Sequence, residues 1–189
     1  MGEMLLNQIL EHNESFVETK EYLKYETTKF PDKKVVLLSC MDTRLLELLP
    51  KAMNLKNGDI KIVKNAGALV SHPFGSIMRS ILVAVYELGA DEVIVCGHHD
   101  CGMGKVNYDS IREKMEQRGI TNKRIDALKY AGIDVKNFLK GFNSVEESVR
   151  ESVDMINNHP LLPEDIPVHG LVIHPHTGKL DLIVNGYED

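Results

Sequence analysis

Residues 92–104 of the sequence join an apolar run to a segment that carries a histidine and a cysteine. The run Val93–Cys96 is rich in β-branched residues and ends at Gly97, a pattern that predicts a buried strand followed by a turn. His98 and Cys101 then follow three residues apart. An imidazole and a thiolate at this spacing suit a zinc ion, but a single pair of this kind often arises by chance.

A second apolar run, residues 34–39, also leads to a cysteine, Cys40. Functional groups in an open parallel sheet gather beyond the carboxyl ends of the strands, and neighbouring strands lie only ~4.8 Å apart. The sequence therefore predicts a zinc site formed by Cys40, His98 and Cys101. Three protein ligands leave one tetrahedral position open, as in catalytic zinc sites. Cys96 is a candidate fourth ligand, but its place inside the strand favours a small buried thiol.

Asp42 and Arg44 follow Cys40 on the same predicted turn. A carboxylate and a guanidinium this close predict a bidentate ion pair. A surface pair of this kind stabilises a fold little. In a metal site, Arg44 would orient Asp42, and Asp42 would accept a hydrogen bond from whatever occupies the open zinc position. If Arg44 moved away, Asp42 could ligate zinc directly and close the site.

The alternation of apolar runs with longer segments predicts the fold class. Residues 34–39, 60–63 and 92–97 alternate with helices or long crossovers and carry apolar residues on both faces, which is typical of parallel strands covered by helices. Residues 168–174 and 179–184 predict two more strands joined by a hairpin turn. We therefore expect an α/β fold: a mostly parallel central β-sheet flanked by helices, with an antiparallel C-terminal edge.

The first 30 residues predict a helical arm. Apolar residues at helical spacing favour helix over residues 3–28 in two pieces, the second beginning at a capping box of Ser15 and Glu18. The apolar face of this arm would pack either on its own domain or on a second subunit.

Two later helices have clear sequence boundaries. Residues 75–90 place apolar side chains on one side, and Gly89 is expected to end that helix. Ser144 and Glu147 form a second capping box, which predicts a helix that runs to about Asn158.

Length, charge and cysteine content narrow the class of protein. The 189 residues suit a single domain, residues 1–189, and the net charge of -6 without a basic tract argues against a nucleic-acid surface. No apolar run approaches the ~20 residues of a membrane span, and no signal-peptide pattern is present. Three cysteines are too few for a disulfide framework, and metal-binding thiolates must stay reduced. We therefore expect a cytoplasmic protein.

Three sequence blocks together resemble the β-class carbonic anhydrases, and most of all the short prokaryotic members of the plant-type branch. The blocks, in that family's order, are Cys40-x-Asp42-x-Arg44, Asn65-Ala66-Gly67 and Cys96-Gly97-His98-x-x-Cys101-Gly102. The resemblance covers residues 34–104 strongly and the C-terminal strands weakly.

The resemblance implies that Cys40, His98 and Cys101 bind one Zn²⁺ per chain and that Asp42 and Arg44 form the catalytic dyad. It implies reversible hydration of carbon dioxide to bicarbonate and a proton, through attack of zinc-bound hydroxide. It also implies a homodimer or a dimer of dimers in which the N-terminal arm of each subunit packs around the neighbouring subunit. Since two thiolates make the zinc formally neutral, its water should be less acidic than at a three-histidine site, and activity should rise on the alkaline side of pH 7.

Two positions depart from the common family pattern. Ala68 stands where many members carry asparagine, and Met103 stands where many carry a second glycine, so both are candidates to line the pocket. The chain has no tryptophan, so the tryptophan-dependent bicarbonate inhibition of one branch is not carried over. Hydrolases of carbonyl sulfide or carbon disulfide resemble the family and share its ligands, which leaves the substrate open. A non-catalytic zinc-binding or redox protein is the second alternative, but it gives Asp42 and Arg44 no role.

Overall fold

The computed structural model describes residues 4–188 of the chain. In chain order its helices and strands are α1 (Leu5–Glu18), β1 (Val35–Cys40), α2 (Leu45–Ala52), β2 (Ile60–Asn65), α3 (Ser76–Tyr86), β3 (Glu92–His98), α4 (Tyr108–Gln117), α5 (Asn122–Tyr130), α6 (Val135–Phe138), α7 (Val145–Asn157), β4 (Val168–Ile173) and β5 (Leu180–Val184). Short 3-10 helices cover Glu21–Tyr25, Ala66–Ala68 and Gly102–Lys105.

The strands form one five-stranded sheet in the order β2-β1-β3-β4-β5. The first four strands in this order are parallel, and β5 pairs antiparallel with β4 through the C-terminal hairpin. The predicted fold class is therefore confirmed. In the register of β1 and β3, Ser39 pairs with Cys96, so both strands reach the same edge of the sheet with their carboxyl ends.

Apolar residues on both faces of β1 hold the sheet between helices. Val36 and Leu38 face a core shared with α3 and α7, whereas Leu37 faces a second core that includes Leu45 and Leu49 of α2. All six residues of β1 are buried, as the unbroken apolar run predicts. Burial of each large side chain contributes about 1.5–3 kcal/mol.

Helix α7 approaches the sheet at two strand glycines. A Cβ atom on Gly97 of β3 would lie 2.7 Å from Cγ2 of Val145, and one on Gly170 of β4 would lie 2.8 Å from Cγ1 of Val149. Such separations are shorter than real carbon contacts, so glycine is required for this close packing. Ser144 begins the helix as expected, because its Oγ accepts a hydrogen bond from the Glu147 N–H at 3.2 Å.

The N-terminal arm departs in one detail from the sequence prediction, part of which falls on residues 1–3, outside the described residues. Helix α1 runs without interruption through Ser15, whose carbonyl accepts the Thr19 N–H at 2.9 Å, so no capping box restarts a helix there. The second piece begins after Lys20, which has a left-handed φ of 57°, and is a 3-10 helix. No described residue of α1 is buried.

The predicted helix over residues 75–90 is shorter than expected. It ends at Tyr86, and Gly89 lies beyond it with a φ of 72°. None of the helices formed by residues 4–188 has both the length and the apolarity needed to cross a bilayer.

Replacing Gly170 by alanine should lower the free energy of unfolding by about 1–3 kcal/mol, because the added methyl group overpacks the contact with Val149. Urea unfolding measures the change. Gly102→Ala is the matched control, since a Cβ there would meet no atom within 4 Å. Equal stability of the two variants would contradict the close packing of α7.

Candidate metal centre

The two neighbouring strands β1 and β3 bring three metal-binding side chains together. Cys40 is the last residue of β1, His98 is the last residue of β3, and Cys101 lies on the turn that follows β3. One donor atom from each of the three lies within 4.8 Å of the others, and the two Sγ atoms are 3.9 Å apart. All three residues are buried. The structure therefore assembles the cluster that the sequence predicts.

The hydrogen bonds of His98 fix which ring nitrogen is free. Its Nδ1 lies 2.8 Å from the carbonyl oxygen of His99, an acceptor, so Nδ1 carries the proton and the lone pair is on Nε2. This Nε2 is buried and has no hydrogen-bond partner among the described residues. An unsatisfied buried polar atom is costly, and a bound cation would satisfy it. Two sulfurs and one imidazole nitrogen are a donor set that fits zinc.

The loop after β2 provides a hydrogen bond to one sulfur. Asn65 closes this loop, since its side chain donates to the carbonyl of Leu69 at 2.6 Å and accepts the Leu69 N–H at 3.0 Å. The backbone N–H of Gly67 then donates to Sγ of Cys40 at 3.3 Å. Gly67 has a φ of 87°, and a Cβ on it would lie 3.0 Å from Cγ of Met103. The Asn-Ala-Gly block thus has a structural role, because it directs a backbone hydrogen-bond donor at Sγ of Cys40, a candidate metal ligand.

The two clustered sulfurs form one hydrogen-bonded pair, with their Sγ atoms 3.9 Å apart. Their hydrogen bond lowers the pKa of Cys40, an effect that burial opposes and that His98 and Gly67 reinforce. The same hydrogen bond raises the pKa of Cys101. A cation bound by both sulfurs would displace the proton of this pair and hold both as thiolates.

Asp42 and Arg44 form the predicted bidentate ion pair. Nε of Arg44 donates to Oδ1 of Asp42 at 3.0 Å, and Nη2 donates to Oδ2 at 2.9 Å. The hydrogen bond from the Arg44 side chain lowers the pKa of Asp42 to about 2, so the carboxylate is ionised throughout the neutral range. Oδ2 of Asp42 lies 3.8 Å from Nε2 of His98. The carboxylate therefore borders the space into which the three donors point.

Sequence reasoning missed Asp100, which binds the other side of Arg44. Nη1 of Arg44 donates to Oδ2 of Asp100 at 3.2 Å, and Nη2 donates to its backbone carbonyl at 3.1 Å. Nζ of Lys105 donates to Oδ1 of Asp100 at 2.6 Å. The sequence signal is weak, because it consists only of an aspartate immediately before Cys101.

Lys64 is a second residue that the sequence did not single out. Its Nζ donates to Oγ of Ser39 at 3.1 Å and to the carbonyl of Cys40 at 3.3 Å. Burial lowers the pKa of Lys64 from its ordinary value. The ammonium group lies next to the backbone of Cys40, where its positive charge favours the thiolate form of that cysteine.

Cys96 is separate from the cluster. It is fully buried in the apolar core that includes Leu37 and Ile173, and burial raises the pKa of its thiol to about 12. The structure agrees with the interpretation of Cys96 as a small apolar side chain.

The two positions that depart from the family pattern both lie near the cluster. Ala68 is buried with a left-handed φ of 58° beside Gly67, and Met103 packs against the apolar core that contains Cys40. A cavity of about 350 Å³ lies beside His98 and Cys101, with Phe142 and Glu146 among its lining residues.

Comparisons with known proteins indicate the family of the chain. A family model described as carbonic anhydrase matches residues 35–180. The Bacillus subtilis protein named "Putative carbonic anhydrase YtiB" is 67% identical over 98% of this chain and 99% of its own length. The crystal structure of β-carbonic anhydrase isoform I from Trichomonas vaginalis superposes with a TM-score of 0.89 at 34% identity, covering 98% of this chain and all of that one.

A more distant relative has a different named activity. The carbon disulfide hydrolase of Acidithiobacillus thiooxidans is 28% identical over 79% of this chain and 76% of its own length.

The cysteines of the cluster should differ sharply from Cys96 in metal binding. Cys101→Ala should lower zinc affinity by about 100-fold or more, because it removes one of three donors, whereas Cys96→Ala should leave one zinc per chain. Competition with a chromophoric chelator measures both affinities. Loss of zinc from the Cys96 variant would contradict the three-donor site.

Proposed function

Because the chain belongs to the β-carbonic anhydrase family, we propose that it catalyses the reversible hydration of carbon dioxide to bicarbonate and a proton. One Zn²⁺ per chain would be held by Cys40, His98 and Cys101. The supporting observation is that three buried donors converge beside an ionised Asp42, whose Oδ2 lies 3.8 Å from Nε2 of His98. A purely structural zinc site has no use for such a carboxylate.

Bound zinc would supply Lewis acidity that makes water a nucleophile near neutral pH. Cys40, His98 and Cys101 would hold the ion, and Asp42 borders the space beside them where that water would bind. His98 is held in the tautomer that directs Nε2 at the cation, because its Nδ1–H is engaged by the carbonyl of His99.

Asp42 positions the nucleophile. An ionised carboxylate only accepts hydrogen bonds, so its Oδ2 would accept a hydrogen bond from the nucleophile and orient the oxygen lone pair toward carbon dioxide. Arg44 donates to both carboxylate oxygens and so prevents rotation or protonation of Asp42. Phe142 lines the cavity beside His98 and Cys101 and gives it an apolar surface for an uncharged substrate.

The catalytic prediction concerns both pH and Asp42. Carbon dioxide hydration by the zinc-loaded protein should rise between pH 6.5 and 9, because two thiolates cancel the formal charge of zinc and leave its water weakly acidic. Asp42 stays ionised over this range, since Arg44 lowers its pKa to about 2, so its titration does not shape the profile. Asp42→Asn should lower kcat/KM about 10- to 100-fold.

Stopped-flow hydration with a pH indicator measures these changes. Asp91→Asn is the matched control, because Asp91 is an exposed aspartate paired with Lys34 at the opposite, amino end of the sheet. A flat pH profile would contradict the weak acidity expected for the zinc-bound water. Equal kcat/KM for the two variants would contradict the proposed role of Asp42.

Carbon disulfide hydrolysis is the second candidate, and the distant relative with that named activity favours it. The same zinc-loaded protein decides between the two substrates. Release of hydrogen sulfide from carbon disulfide, with no hydration of carbon dioxide above background, would replace the first proposal by the second.

We also propose that residues 1–189 form one domain whose arm, residues 1–30, joins two copies in a homodimer or a dimer of dimers. The arm exposes a row of apolar side chains on one face of α1: Leu5, Leu6, Ile9, Leu10 and Val17. Exposed apolar surface of this extent is typical of a subunit interface.

We also propose a cytoplasmic location. The three cysteines within the described residues form no disulfide, which suits a reducing compartment.

Charges on the apolar face of α1 should break this assembly. The double substitution Leu6→Asp/Ile9→Asp should raise the dissociation constant of the dimer by about 100-fold or more, because it buries two carboxylates at the interface. Sedimentation equilibrium measures the constant. Ser15→Asp, on the polar face, should leave it unchanged, and equal effects of the two changes would show that α1 is not the interface.

A further inference from the structure

Arg44 is held between two aspartates rather than by one. It uses Nε and Nη2 on Asp42, and it uses Nη1 and Nη2 on the carboxylate and the backbone carbonyl of Asp100. Lys105 binds the remaining oxygen of Asp100 at 2.6 Å. The four side chains form one continuous chain of ion pairs, Lys105–Asp100–Arg44–Asp42, that ends at the metal centre.

The backbone at Asp100 is unusual. Its φ of 52° is in the left-handed region, which aspartate, asparagine and glycine tolerate better than other residues. Asp100 stands between His98 and Cys101, so the turn that carries two zinc-binding donors also carries the acceptor for Arg44. The position of Arg44 is therefore tied to the geometry of the donors themselves.

The Asp42 carboxylate lies beside the three donors. Its Oδ2 is 3.8 Å from Nε2 of His98, so a movement of Asp42 toward the cluster would bring this oxygen to the open position. Arg44 opposes that movement because it holds both carboxylate oxygens from the other side.

We propose that Asp100 is the positioning residue that anchors Arg44 and thereby keeps Asp42 out of the fourth zinc position. This inference rests on the proposed zinc site. Without the Asp100 carboxylate, Arg44 would lose the Nη1 contact and Lys105 would lose its partner, so Arg44 would follow Asp42 toward the metal. Asp100 thus maintains the open form of the site without contacting the substrate.

Azide binding to the cobalt(II)-substituted protein tests this role without any measurement of turnover. Azide needs the open metal position, and the visible spectrum of cobalt reports its binding. Asp100→Gly is the principal variant, because glycine tolerates the left-handed φ and removes only the side chain. We expect azide to bind Asp100→Gly at least about tenfold more weakly than the unsubstituted protein. Asp100→Asn keeps one acceptor oxygen, so its azide affinity should lie between those two.

The direction of the change separates this proposal from a simple charge effect. Removal of a negative charge near the site would by itself strengthen the binding of an anion. Unchanged or tighter azide binding in Asp100→Gly would therefore overturn the proposal. Asp91→Gly, which removes an exposed aspartate remote from the metal, should bind azide as the parent does.

A double-mutant cycle separates positioning from damage to the turn. In a chain that already carries Asp42→Ala, no carboxylate can close the site, so the further change Asp100→Gly should alter azide affinity less than about twofold. Equal weakening in both backgrounds would mean that Asp100 only supports the ligand turn, and would overturn the proposal. Because azide binding requires no hydration of carbon dioxide, this outcome is distinguishable from failure of the proposed function.

Discussion

The parallel pairing of β1 with β3 is the constraint on which the metal centre depends. The register Ser39↔Cys96 brings the carboxyl ends of the two strands to one edge of the sheet, and Cys40, His98 and Cys101 all lie there. That pairing exists because both faces of β1 and β3 are covered by apolar cores. Residues that are about 60 positions apart in the chain thus become neighbours through the burial of aliphatic side chains.

Charged and polar groups surround the cluster and set the ionisation of its members. The thiolate character of Cys40 is supported by the Gly67 N–H and by Lys64 behind the strand, while Asp42 is kept ionised by Arg44. In the proposed zinc site, these groups would hold a negatively charged acceptor next to the cation without letting it become a ligand. The ion pairs of Asp100 with Arg44 and Lys105 extend this arrangement beyond the Asp42–Arg44 pair.

Much of this arrangement could be predicted from the sequence, for physical reasons. Apolar runs indicated the parallel strands, and cysteine and histidine at strand ends indicated the three side chains that the structure brings together, because strand ends and donor chemistry are local properties. The position of Cys96 inside a strand correctly indicated a buried thiol.

Other features depend on contacts between distant residues and left no local pattern. Asp100 contacts Arg44, which is 56 residues away, and the contact of Lys64 with the Cys40 carbonyl likewise joins residues that are distant in the chain. The prediction of a capping box at Ser15 was wrong, because serine and glutamate at this spacing also occur inside a continuous helix. The Asn-Ala-Gly block was visible as a motif, but the reason for it, a backbone donor aimed at sulfur, is a matter of three-dimensional geometry.

The zinc K-edge X-ray absorption spectrum tests the central claim most directly, on protein loaded with one zinc per chain. We expect two sulfur ligands at about 2.3 Å and two nitrogen or oxygen ligands at about 2.0–2.1 Å, from Cys40, Cys101, His98 and one further light atom. A shell with three sulfurs would bring Cys96 into the site, and a shell with one sulfur or none would place the zinc elsewhere. Either result would contradict the metal centre described by this fold.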